Sequence, residues 1–118
     1  MSFINKPGKT SSWRQMVIRQ QVSDVFAYGA IKTTFTKAKE TQRHVDRIIT
    51  LAKKNTLDAK RRILSIILNT TKVSQEDLLK KILEIAKKYA TRKGGYTRVA
   101  RLNNRAGDNT QVALLELV

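Results

Sequence analysis

The chain of 118 residues contains no cysteine. Disulfides, thiolate metal sites and a cysteine nucleophile are therefore excluded. It has one histidine, His44, and nine dispersed acidic residues. Such a set cannot supply the converging ligands of a metal centre. No apolar run approaches the length of a membrane span, and no apolar block follows a basic start as a secretory signal requires. Aromatics are sparse and scattered: one Trp, three Tyr and three Phe. A helix lying on a membrane surface would gather them on one face, so that role is disfavoured. The expected location is cytoplasmic.

A catalytic centre finds little support either. His44 would need a nucleophile or carboxylate converging on it. Glu40, one turn earlier, shares its helix face, but a lone Glu-His pair is a common surface feature. Asp108 follows a glycine in a loop and reads as an Asx-type turn. Gly94-Gly95 lacks the spacing of a Walker loop and reads as a helix C-cap. The expectation is a protein that is not an enzyme, with no cofactor, metal or small-molecule substrate.

What the chain has in excess is positive charge. Lys and Arg number 24 and the net charge is +15. A compact domain this basic repels itself, so the surplus implies a polyanionic partner. Nucleic acid fits best, because counterion release from phosphates gives a multivalent basic surface most of its affinity.

The chain length fits a single domain. The only proline lies in Lys6-Pro7-Gly8-Lys9, which reads as a turn, so residues 1–10 are expected to form an extended basic arm. Residues 11–118 are expected to form one α+β domain. Ser12 and Gln15 fit a capping box for a first helix over residues 13–28, with Trp13, Met16, Val17 and Val25 on its apolar side. Trp13 would anchor that helix to the core, and Gly29 would stop it. Residues 30–35 alternate as a short strand, and Thr36 can cap the next helix. Ala38, Thr41, Val45, Ile48, Ile49 and Ala52 line one face of that helix. A third helix starts at Asn55 or Thr56, with Leu57, Arg61, Leu64 and Leu68 in one row widened by Ile63 and Ile67, and Asn69-Thr70-Thr71 breaks it. Ser74 caps a fourth, whose stripe is Leu78, Leu79, Ile82, Ile85, Ala86 and Tyr89. Residues 96–102 and 111–118 read as strands, the last apolar on both faces and so buried on both. The order is helix, strand, three helices, two strands, giving a small three-stranded sheet packed with helices.

Three basic stretches are candidates for RNA contact. The first is Arg92, Lys93, Arg98, Arg101 and Arg105, a run with no neighbouring acid, in which Tyr96 offers a stacking face. Tyr96 and Arg98 share one strand face and Arg101 points the other way. The second is Lys32, Lys37, Lys39 and Arg43, along the strand and the long helix. The third is the arm and its junction: Lys6, Lys9, Thr10, Ser11 and Arg14, suited to threading between RNA helices.

Five strings occur in one order: Gly8-Lys9-Thr10-Ser11-Ser12; Ile31-Lys32-Thr33-Thr34 with Lys37-Ala38-Lys39-Glu40; Ile49-Thr50-Leu51-Ala52-Lys53; Gly94-Gly95-Tyr96-Thr97-Arg98; and Arg105-Ala106-Gly107-Asp108 with Leu115-Glu116-Leu117. Together they resemble the bacterial large-ribosomal-subunit protein number seventeen family over residues 8–118. The resemblance implies a non-catalytic α+β domain that binds large-subunit ribosomal RNA, beside neighbouring large-subunit proteins, near the exit of the nascent-chain tunnel. A structural, ribosome-bound constituent that clamps 23S rRNA through phosphates is the expected function. The alternative is a free-standing DNA- or RNA-binding regulator. Its one candidate recognition helix carries Arg14, Gln15, Arg19, Gln20 and Gln21, and a strand follows it where a helix-turn-helix needs a helix.

Overall fold

The computed structural model describes residues 11–68 and 73–118. The arm, with Lys6, Lys9 and Thr10, and the break at Asn69-Thr70-Thr71 lie outside the described residues. The elements are α1 (Ser11–Tyr28), β1 (Ala30–Thr34), α2 (Phe35–Lys54), α3 (Leu57–Ile66), α4 (Gln75–Lys88), β2 (Thr97–Arg101) and β3 (Val112–Leu117). The order and class are those read from the sequence.

The sheet runs β1-β3-β2, with both pairings antiparallel. The C-terminal strand is thus the middle one. Thr33 lies opposite Ala113 and Ile31 opposite Leu115, while Val99 meets Leu115 and Arg101 meets Ala113 from the other side. Alternation puts Ile31, Thr33, Thr97, Val99, Arg101, Ala113 and Leu115 on the face that α1 and α2 cover. Lys32, Arg98, Ala100, Leu114 and Glu116 share the opposite face, which none of the described helices covers. Ala113 and Leu115 are fully buried, whereas Val112 and Leu114 are only partly so. The expectation that this strand is buried on both sides is therefore corrected. An antiparallel sheet can pack helices on one face alone, and among the described residues this one does.

Helix α2 is the hub, packing against the other three helices and all three strands. Its buried residues are Ala38, Thr41, Val45, Ile48, Ile49 and Ala52, the stripe that its periodicity predicts. The core joins these to Ile18, Val22 and Phe26 of α1, Ile63 of α3, and Leu78 and Ile82 of α4. Each large aliphatic so buried contributes roughly 1.5–3 kcal/mol before the cost of ordering it. Alanines at 27, 38, 52, 59 and 86 are buried among them, leaving room for close helix approach.

Several local readings change. Helix α1 already includes Ser11, so Ser12 sits inside its first turn and is not the cap. Its buried line is Ile18, Val22, Val25 and Phe26. Met16 is 48% exposed, and Trp13 is half-buried outside the core with Lys37 Nζ 5.8 Å from its ring centroid. The apolar residues of α1 are spread over more than one side, with Arg14, Gln15, Arg19, Gln20 and Gln21 between them, and packing rather than period selects the inward side. In α3 the flanking Ile63, with Ile67 just beyond the helix, is buried as read, together with Ala59, but the row itself is not the inward one, since Leu57 is 64% exposed. Thr34, not Thr36, occupies the N-cap position of α2, because the chain turns from strand to helix at Phe35. Thr56 and Ser74 do cap α3 and α4, their hydroxyls accepting from Ala59 N and Asp77 N. Gly29 does end α1, at φ 85°. Gly94-Gly95 is not a helix cap: α4 stops at Lys88 with Tyr89 as its C-cap, and Gly95 (φ 64°) turns the chain into β2.

Candidate nucleic-acid interface

Strand β1, the first turn of α2 and the loop between β2 and β3 enclose an open groove of about 620 Å³. Lys32, Thr33 and Thr34 line it from β1, and Lys37 lines it from α2. Leu102, Asn103, Arg105 and Val112 close the other side. Three of the sequence-predicted cations, Lys32, Lys37 and Arg105, are thus brought together from segments far apart in the chain. The N-terminus of α2 adds to their field, since its first turn carries no acidic residue and helix dipoles are positive at that end.

Beside the groove, Phe35 supports two further candidates. The Arg101 guanidinium carbon lies 4.4 Å from the ring centroid, and Lys39 Nζ lies 5.7 Å from it. A stacked guanidinium keeps its N–H edges free for an anion. Arg43 follows one turn later on α2, exposed, with Glu40 Oε1 at 4.0 Å. Arg14 is half-buried near the start of α1, and Ser11 is exposed.

The remaining candidates lie elsewhere. Arg98 projects from the sheet face that no described helix covers, about 10 Å along the strand from Arg101 and on the opposite side. Arg92 and Lys93 are exposed in the loop after α4. The stretch from Arg92 to Arg105 is therefore not one surface. It is also not free of acids. Arg98 Nε donates to Glu116 Oε1 at 2.8 Å, directly across the β2–β3 pair. Arg105 Nε donates to Asp108 Oδ1 at 3.1 Å, and Arg105 Nη2 donates to Asp108 Oδ2. The guanidinium bond, with help from the Thr110 backbone N–H, holds the Asp108 carboxyl far below the usual carboxylate range. Asp108 also forms the expected Asx-type turn, accepting from Thr110 N at 3.1 Å. Both ion pairs are exposed, so neither cation is withheld from a competing phosphate by burial.

Tyr96 is corrected outright as a stacking residue. It is 2% exposed, with its ring 5.4 Å from Tyr89 and its hydroxyl accepting from Lys53 Nζ at 2.6 Å. A ring enclosed in this way presents no face to a base.

Sequence reasoning missed Phe35 as a platform and Asn103 as a lining residue. In the sequence Phe35 reads as the end of the strand alternation, and its one signal is its position beside Lys37 and Lys39. Asn103 lay in a stretch legible only as turn-rich.

The histidine and the half-buried acids do not form a reacting centre. His44 borders a cavity of about 330 Å³ with Gln15, Ile18, Arg19, Arg47, Ser65 and Ile66. Burial and the nearby Arg47 charge push its pKa below the ordinary histidine value, with Glu40 opposing and Arg43 adding to the effect. Asp46 is raised by burial, although it accepts a hydrogen bond from Thr97 Oγ1 at 3.0 Å. That bond ties α2 to β2. Among the described residues no helix is long and apolar enough to cross a membrane.

The site is thus a groove on a basic α+β domain, where Lys32, Lys37 and Arg105 face one open space. The sequence pattern of the family described as ribosomal protein L17 matches residues 17–118. The chain is also 62% identical over 119 aligned residues to a protein of Ureaplasma parvum serovar 3, covering all of both chains. It is 57% identical to one of Malacoplasma penetrans, again over all of both. A Mycoplasma pneumoniae protein is 48% identical over 99% of this chain and 95% of its own. Each of the three is named large ribosomal subunit protein bL17. The chain belongs to the ribosomal protein L17 family, and it is a structural ribosomal protein, not an enzyme.

Proposed function

We propose that this large-subunit ribosomal protein binds and clamps 23S rRNA through phosphate contacts, near the exit of the nascent-chain tunnel and beside other large-subunit proteins. The observation that carries the reading is the groove in which Lys32, Lys37 and Arg105 meet. Three cations around an open, shallow space suit a sugar-phosphate backbone, and A-form RNA is held mainly by shape and phosphate contacts. Arg101 and Lys39 on Phe35 extend that surface, and Arg43 continues it along α2. Arg98, Arg92 and Lys93 would meet a second stretch of backbone at the other end of the sheet. Residues 11–118 act in this reading as one rRNA-binding domain, with residues 1–10 as an arm, and the protein works bound to cytoplasmic ribosomes.

The test replaces Lys32, Lys37 and Arg105 together with Gln. Binding to transcribed 23S rRNA should weaken by at least tenfold at 100 mM salt. The log–log salt slope should flatten by about 2, since each phosphate contact contributes roughly 0.7–0.9. Unchanged affinity and slope would remove the groove from the interface. Sedimentation after a moderate salt wash addresses the regulator alternative: a constituent stays with large subunits in stoichiometric amount, and a free-standing regulator does not.

A further inference from the structure

Asp108 is placed where the charge balance argues against an acid. It is paired with Arg105 at the rim of the groove that Arg105 shares with Lys32 and Lys37, in a chain with net charge +15. There a carboxylate repels any polyanion. An exposed ion pair adds little to stability, and the turn closed by Thr110 N needs an acceptor at this position but not a charge.

The geometry of the pair is informative. Asp108 takes the side edge of the Arg105 guanidinium, through Nε and Nη2. A guanidinium has about five N–H groups in a planar fork. The two on Nη1 and the second on Nη2 stay available, and the Nη2 N–H with the Nη1 N–H beside it makes up the end-on edge that pairs with phosphate in bidentate fashion. Arg105 is not otherwise engaged through its side chain among the described residues. The loop beneath it is cross-braced. Arg105 N donates to Thr110 O at 2.8 Å, and Asn109 N donates to Arg105 O at 3.0 Å. Asn104 Nδ2 donates to Asn109 Oδ1 at 3.1 Å, and Gly107 and Asn109 both take positive φ. Asp108 itself is fixed by Thr110 N. The clamp thus reaches from a braced backbone to the guanidinium.

We infer that Asp108 is a positioning residue that holds Arg105 with its end-on edge turned to the groove, preset for an RNA phosphate. The inference rests on the reading of the groove as a phosphate site. A long side chain loses rotamer freedom when it binds; here that loss is taken in the free protein. The gain appears only on RNA whose phosphate arrives at the right place, so Asp108 favours folded target RNA over unstructured polyanion.

The experiment compares binding of transcribed 23S rRNA and of poly(U) at one salt concentration. Asp108→Asn keeps the shape and the acceptor for Thr110 N–H but loses the charge. It should bind 23S rRNA three- to tenfold more weakly, and poly(U) as tightly as wild type or tighter. These opposite signs separate positioning from plain charge removal, which would strengthen both. Arg105→Gln should lose as much on 23S rRNA, and adding Asp108→Asn to it should cost nothing more. Arg105→Lys, which keeps the charge and loses the fork, should lose at least threefold on the same RNA, and it tests the idea even if Asp108→Asn folds poorly. The inference falls if Asp108→Asn binds 23S rRNA as well as wild type, if its loss adds fully to that of Arg105→Gln, or if Arg105→Lys is silent. If Lys32→Gln, Lys37→Gln and Arg105→Gln are all silent, the groove reading itself fails. If they matter and Asp108→Asn does not, only the positioning role is lost.

Discussion

Lys53 Nζ lies 4.5 Å from the centroid of the Tyr96 ring and donates to the Tyr96 hydroxyl at 2.6 Å. The same ammonium donates to the Arg92 carbonyl, which also accepts from the Tyr96 hydroxyl at 3.1 Å. One lysine near the end of α2 therefore gathers the loop that leads from α4 to β2. The loop backbone is drawn inward, and the Arg92 and Lys93 side chains are left on the surface.

Lys53→Met should destabilise the fold by about 1–2 kcal/mol, since a partly buried hydrogen bond from a charged donor is lost. The melting temperature should fall by roughly 4–10 °C. Tyr96→Phe should lose about half as much. A thermal melt that does not move for either variant would mean that the cluster does not hold the loop.

Arg98 and Arg101 should behave differently on replacement. Arg98→Gln breaks an exposed pair with Glu116 and should change stability by less than about 1 kcal/mol. Its salt slope for RNA binding should flatten by about 0.7–0.9 if it meets a phosphate. Arg101→Gln should flatten the slope similarly and also cost roughly 0.5–2 kcal/mol, because it removes the contact with Phe35. Parallel melts and salt titrations check both.

The inward side of α1 is tested by Ile18 and Met16. Ile18 is 2% exposed, so Ile18→Ala should cost about 2–5 kcal/mol. Met16→Gln should stay within about 0.5 kcal/mol. Urea denaturation of the two variants would reverse this order if the row of Trp13, Met16 and Val17 were the one that packs.

His44 should make stability depend on pH. Its folded pKa lies below 6.5, so the unfolded chain binds more protons in the window just below that value. Stability should then be complete above about pH 7 and fall as pH drops through 6.5 toward the folded pKa. Burial first, then Arg47 and Arg43 on α2, raise the cost of charging the ring, and Glu40 lowers it. His44→Gln should flatten the melting temperature between pH 7.5 and 5.5. A slope identical to wild type would assign the dependence to another group.

The readings from sequence succeed where one signal dominates. Helix α2 has a single apolar stripe opposite a charged face, so its period alone picks Val45, Ile48 and Ala52 as core. The caps at Thr56 and Ser74 are local chemistry and are legible for that reason. α1 and α3 offer two apolar rows each, and nothing within one helix ranks them. The row that meets the neighbouring helices wins. Arg105 and Asp108 are three residues apart, yet the acid was legible only as a turn former, because its hold on the guanidinium depends on a loop closed by Asn109 and Thr110.

Net charge, the succession of elements and the family strings are properties of composition and local order, and they survive without any knowledge of packing. Which cations face a common space is a matter of strand pairing. Arg98 and Glu116 stand eighteen positions apart and become neighbours only because β3 inserts between β1 and β2. The same insertion sets the loop bearing Arg105 against Lys32 and Lys37 and draws Tyr96 inside. Long-range hydrophobic burial makes that choice, and no window of adjacent residues contains it.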